Sequence, residues 1–335
     1  MSDNIGFPSY PTIYITLCLF ERLTMPLCIL CRNERELTEE HIVPDCVGGS
    51  LKPKLLCKDC NSTIGSTIDA PFSNTVLVQL PRQSYQIPGK SGAVPNAFAS
   101  YGSTNHEGRE LSVRLDEQFK PYTKPIVTEQ ATDQGLEINI TVDKEDEGDI
   151  ESILRKKITR YYRSIGKPAE EIQAIVAQAI QDAKKAAVAV SHQPTIKYSF
   201  KIDLNTVILE SIKIAYEIAA LEFGEKYITN SPAAEKLRSA LWCQKRDGIA
   251  GGVGIEFGPL KAILPGQEAH YVLLLHNTCV VSIFGIASVV EYCGEKEPFA
   301  RSMDEAVLYV FDPINRSHNR YLLAEYLFNQ INGKA

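Results

Sequence analysis

The sequence predicts an α+β fold in two parts: a small zinc-stapled ββα unit and, after it, a larger mixed α+β domain. Three observations carry this. Two Cys-x-x-Cys pairs, Cys28/Cys31 and Cys57/Cys60, enclose a Gly-Gly turn and short extended segments. Alternating strand patterns at residues 136–142 and 196–202 bracket two helical ones, and apolar runs at 271–275 and 279–286 are joined by a short turn. With 335 residues, of which 44% are hydrophobic, the chain is long enough to bury a sizeable core.

Residues 1–25 are expected to be an upstream extension or an unstructured N-terminus. Their apolar stretch, 12–20, is too short to span a bilayer and has no basic segment before it, so it predicts neither anchor nor signal. Met25-Pro26-Leu27-Cys28 makes a compact natural start of translation.

Residues 26–78 carry the zinc unit. After Glu40-His41-Ile42-Val43-Pro44, the pair Gly48-Gly49 separates a first strand, on which His41 is placed, from a second at 54–56 that enters the second cysteine pair. Alternation stops from Asn61 to Asp69 and Pro71 closes the segment, which predicts a short helix. Strand, strand and helix over a zinc make a ββα unit.

Residues 79–134, rich in Pro, Gly, Ser and Gln, predict an irregular connecting region with short strands. Residues 135–335 predict a C-terminal α+β domain for recognition or regulation. Leu136, Ile138, Ile140 and Val142 alternate with polar residues, as do Ile196, Tyr198, Phe200 and Ile202, the mark of half-buried strands. Between them an acidic run leads into a helix with Ile150, Leu154, Ile158 and Tyr162 on one face; Gly166 and Pro168 break it before an alanine-rich helix over about 169–188. A longer helix has Asn205 as its N-cap, turns Leu209, Ile212, Tyr216, Ala219 and Phe223 to the core, and stops at Gly224. The apolar runs about His276-Asn277-Thr278 predict a buried hairpin, 307–311 a last strand and 321–328 a closing helix.

The chemistry concentrates in the first unit. Four thiolates fill the shell of a tetrahedral Zn2+, so Cys28, Cys31, Cys57 and Cys60 are expected to hold a structural zinc with no open position for water. The closed loop carries Glu40 and His41, and Asn61 follows the last cysteine. A neutral imidazole takes a proton from water near pH 7, which makes His41 the candidate general base. Glu40 and Asn61 offer hard oxygens of the kind Mg2+ or Mn2+ prefers, with substrate phosphate completing the shell. Glu40, His41 and Asn61 are therefore the expected catalytic set for phosphodiester hydrolysis, with Glu40 and Asn61 as ligands of the catalytic ion. Asp69, eight residues beyond Asn61 on a helix, lies too far along to share that ion and is expected to cap or orient the helix end or to face substrate.

Cys28-x-x-Cys31, Glu40-His41-Ile42-Val43-Pro44, Gly48-Gly49 and Cys57-x-x-Cys60-Asn61 together resemble the zinc-binding form of the HNH endonuclease, a ββα-metal nuclease, over residues 26–72. The resemblance implies structural zinc on the four cysteines, an acidic metal ligand at Glu40, the base at His41 and the family's asparagine at Asn61. It suggests roles in restriction, anti-phage defence or mobile elements. Two departures stand out: the acidic position is Glu where many members have Asp, and no histidine follows on the helix, where many members place a third ligand.

The net charge of −6 excludes the basic balance of proteins that grip bulk nucleic acid by charge alone. The expected substrate is nucleic acid, double-stranded DNA ahead of RNA, met locally or with help from a homo-oligomer or regulatory partner through the C-terminal domain. No membrane is expected. Nine cysteines in no regular framework predict reduced thiols and a cytoplasmic protein, with Cys46 a buried thiol, not a fifth ligand. The alternative reading is a non-catalytic zinc-dependent nucleic-acid-binding or regulatory protein. Arg155, Lys156, Lys157, Arg160 and Arg163 predict a solvated helix face ahead of a phosphate-binding one, Gly248 to Gly258 a flexible turn, and His270 and His276 hairpin ends.

Overall fold

The computed structural model describes residues 25–99, 102–106, 109–116, 120–133, 135–185, 195–200, 202–249, 251–254 and 264–332. The extension expected before Met25, Cys18, Val188 and Gly258 lie outside them.

The zinc unit forms from β1 (Leu37–Glu39), β2 (Lys54–Cys57) and α1 (Lys58–Ile64). The two strands pair antiparallel, with a register shift between Thr38 and Glu39 that leaves Leu55 out of the ladder. The Leu55 carbonyl accepts from Ile29 N (3.1 Å) in the first cysteine turn instead. Pro53 has no N–H to extend the pairing, so β1 stops early. His41, expected on the first strand, sits beyond its end in a loop with a single 3-10 turn at Asp45–Val47.

The predicted break at Pro71 is absorbed. A π turn (Gly65–Asp69) follows α1, with Ala70 N bonded five residues back to Gly65 O, and α2 (Ala70–Ser73) continues the path with Pro71 in its first turn, where a missing N–H costs little. The region read as irregular begins with α3 (Val76–Ser84) and holds a sheet of β3 (Gly102–His106), β4 (Arg109–Leu115) and β5 (Pro121–Thr123). β6 (Ile126–Thr132) and β7 (Gly135–Thr141) pair as a separate ribbon. α4 (Ile150–Ser164) and α5 (Ala169–Lys185) pack with β7 around Leu154, Ile158, Ile172 and Val176, a core of their own. Among the described residues of the second predicted strand, β8 (Lys197–Tyr198) forms; it pairs with β3, giving the order β5-β4-β3-β8.

α6 (Leu204–Phe223) is the axis of the remainder. Its N-cap is Asp203, whose carboxylate accepts from Asn205 N (3.0 Å), in place of the expected Asn205. Gly224, at φ 67°, ends it as expected. α7 (Glu225–Asn230) and α8 (Pro232–Cys243) pack beside it. A six-stranded antiparallel sheet follows from β9 (Gly251–Val253), β10 (His270–Leu275), β11 (Thr278–Ile283), β12 (Ile286–Glu291), β13 (Val307–Asp312) and β14 (Ser317–Leu322), in the order β14-β13-β10-β11-β12-β9. α9 (Leu323–Ile331) covers one face through Leu323 and Tyr326.

The other face meets α6, and α6 meets the zinc unit. Every residue of α6 from Val207 to Ala220 is buried, so the one-sided amphipathic face expected from sequence is too narrow. Ile42, Val47 and Ile64 of the zinc unit share one continuous core with Ile212 and Tyr216 of α6 and with Val272 and Val281 of the sheet. No helix among the described residues is long and apolar enough to cross a membrane.

Candidate nuclease site

The four cysteine sulfurs all lie within 4.8 Å of one another, with Cys31 Sγ 3.9 Å from Cys57 Sγ. Tetrahedral zinc with bonds of about 2.3 Å needs sulfurs about 3.8 Å apart, so the cluster fits the ion. Among the described residues no other group of His, Cys, Asp and Glu side chains gathers so closely. The first cysteine turn, closed by Arg32 at φ 56°, is held from the C-terminal part of the chain. Tyr216 Oη donates to Ile29 O (2.6 Å), Arg238 Nη1 to Leu30 O (3.1 Å), and Arg32 pairs with Glu235 (2.7 Å).

The loop after β1 is gripped as firmly. Buried His270 donates from Nε2 to Val47 O (2.8 Å) while its Nδ1 accepts from Phe284 N (3.2 Å). It stands at the end of the hairpin strand β10, as expected, and there ties loop to sheet. Ser50 Oγ bonds His318 Nδ1 at 3.0 Å. The Gly-Gly pair is needed at this point: Gly48 adopts φ +90° against Pro313, and a Cβ on Gly49 would lie 1.7 Å from Val43 O.

His41 keeps 24% of its side chain exposed, and its Nε2 is buried 3.5 Å from Asp45 Oδ1. Asp45 is fixed in turn by Arg316 Nη1 (2.6 Å), whose Nη2 reaches Pro88 O (3.2 Å). Burial lowers the imidazole pKa more than Asp45 raises it, and the nearby charges of Lys52, Lys213 and Lys90 add to the lowering. The ring is thus kept neutral at pH 7, as a base requires.

Glu40 and Asn61 point elsewhere. Asn61 Nδ2 donates to Glu39 O (2.8 Å) and Thr38 Oγ1 (3.1 Å), fastening α1 to β1. Glu40 is 4% exposed and its Oε1 lies 2.8 Å from Nζ of Lys213, a fully buried residue in the middle of α6. The same ammonium donates to Asp69 Oδ1 (3.0 Å) and His41 O (2.9 Å), with Glu217 and Glu210 at 3.9 and 4.0 Å. Asp69 therefore meets Lys213, where a helix-end or substrate-facing role was expected; the π turn carries it there. Burial opposes the charge on Lys213, but Glu217, Asp69, Glu210 and Glu40 outweigh it and hold its pKa well above the ordinary lysine range. One ammonium faces four carboxylates, and burial raises the pKa of Glu40 and pushes Glu210 and Glu217 well above the ordinary carboxylate range. A divalent ion on Glu40 and Asn61 would meet a carboxylate that already pairs with a cation and an amide whose Nδ2 is used in holding the fold.

Lys213, Asp45 and Arg316 were not among the residues singled out from sequence. The signal for Lys213 was present: Glu210, Lys213 and Glu217 are charges on one face of an otherwise apolar helix. On α4, Arg155, Lys156, Arg160 and Arg163 are exposed and Lys157 pairs with Glu129, while Tyr161 and Tyr162 pack edge to face on each other at 5.0 Å.

Residues 28–77 match the family model described as HNH endonuclease, a span that takes in both cysteine pairs, Glu40, His41 and Asn61. No curated protein and no solved structure matches the chain.

Proposed function

We propose, from the HNH endonuclease segment at residues 28–77, that the chain hydrolyses phosphodiester bonds in nucleic acid with His41 as its general base. The observation that carries this is the His41–Asp45 pair, which lies between the two cysteine pairs in sequence and is left partly open to solvent. In this reading Nε2, 3.5 Å from Asp45 Oδ1, carries the proton and Nδ1 accepts the proton of the attacking water. Arg316 keeps Asp45 in place. Exposed Lys52 and Lys90, close enough to act on the imidazole electrostatically, supply local positive potential for a phosphate backbone in a chain that is acidic as a whole. Double-stranded DNA is the proposed substrate, in a reducing cytoplasm where free thiols persist, with restriction or defence against foreign DNA as the setting the family suggests.

The reading is tested by incubating the zinc-loaded full chain with supercoiled plasmid in the presence of Mg2+ or Mn2+. Nicked and linear products are expected. Cleavage of duplex RNA alone would move the substrate, and binding of DNA without cleavage under every metal would replace the nuclease with a zinc-dependent binding protein.

A further inference from the structure

The nuclease reading above is the ground for this inference, which concerns the cation beside Glu40. Lys213 spends all three of its N–H donors within 3.0 Å, on Glu40 Oε1, Asp69 Oδ1 and His41 O. Its surroundings come from three elements: Glu40 and the His41 carbonyl from the loop, Asp69 from the π turn, and Glu210 and Glu217 from α6 itself. None of its surface reaches solvent. A magnesium-type ion keeps several waters and sits about 2.1 Å from a carboxylate oxygen. Here Glu40 Oε1 already holds an ammonium at 2.8 Å, and an ion on either oxygen of the same carboxylate would face that second cation, fully buried, and be repelled by it. Nor does Lys213 have a way out, because α6 is buried on all sides along its central turns.

We propose that the Lys213 ammonium is the resident cation of this centre, occupying the place where a divalent ion would bind Glu40. Glu40 and Lys213 are then positioning residues. Together they fix the Glu40–His41 backbone through the His41 carbonyl, and so aim the imidazole at Asp45. The C-terminal part of the chain supplies this charge to the loop that carries His41.

The test reads metal binding and needs no cleavage, so it stands apart from the nuclease reading. Mn2+ is titrated into the zinc-loaded full chain and into Glu40→Gln, with free Mn2+ followed by electron paramagnetic resonance. Dissociation constants within threefold of each other, or no binding in either protein, are expected. Weakening beyond threefold in Glu40→Gln makes Glu40 a metal ligand and overturns the proposal. If Glu40→Gln fails to retain zinc, Glu40→Ala is measured against the same criterion. In a plasmid assay, Glu40→Gln should lower kcat at least tenfold while leaving the half-saturating Mn2+ concentration unchanged; a raised half-saturation point again counts against the proposal.

Discussion

His270 uses both ring nitrogens in one neutral tautomer, and its protonation would sever the Phe284 bond and leave a charge without solvent. Burial accordingly pushes its pKa down to about 4. An unfolded histidine titrates near 6.5, so between these values the unfolded chain binds the extra proton and stability falls as the pH drops. The loss reaches roughly 3 kcal/mol once the pH is below both values. Urea denaturation from pH 7 to pH 4 should show this decline, and His270→Gln should flatten it; an unchanged slope in the variant would assign the decline to other groups. Gly49 makes a second residue-scale prediction. Because a Cβ there would lie 1.7 Å from Val43 O, Gly49→Ala should cost about 3 kcal/mol or more, seen as a lowered denaturation midpoint. The glycine pair, the cysteines and the Glu40-His41 pair were legible because local spacing alone defines them. Lys213 and Arg316 were not, since their partners His41, Asp69 and Asp45 come together only through the tertiary fold.

At the scale of elements, the long helices and the β10–β11 hairpin were readable from periodicity and turn residues. α3 was missed, and the short strands expected over 79–134 were not located, because abundant Pro, Gly, Ser and Gln mask short elements that tertiary pairing completes. α6 was read as one-sided because a helix packed between a sheet and a second unit loses the polar face on which such readings depend. Zinc tests the coupling of these elements. Chelation should raise hydrogen exchange in the first cysteine turn and in β1, β2 and α1, while β10 and β11 stay protected by their own ladder. Unchanged protection in α1 after verified zinc loss would show that the metal does not hold this unit.

For the whole molecule, the two-part plan visible in the sequence meets a core that runs without interruption from Ile42 through Ile212 to Val281. A fragment of residues 26–78 would expose Ile42, Val47 and Ile64 to water and lose the ties from Tyr216, Lys213 and His270. It should therefore fail to give a dispersed NMR spectrum even with zinc bound; a well-dispersed spectrum would make the nuclease unit a separable domain. α6 ties the proposed base to the C-terminal part of the chain, since Lys213 holds the backbone on which His41 is mounted. The most direct measurement of that account is the single-turnover rate of plasmid cleavage by the zinc-loaded full chain beside His41→Ala, with equal zinc content confirmed. A loss of roughly 100-fold to 10,000-fold is expected in His41→Ala. Equal rates in the two proteins would remove His41 from the reaction.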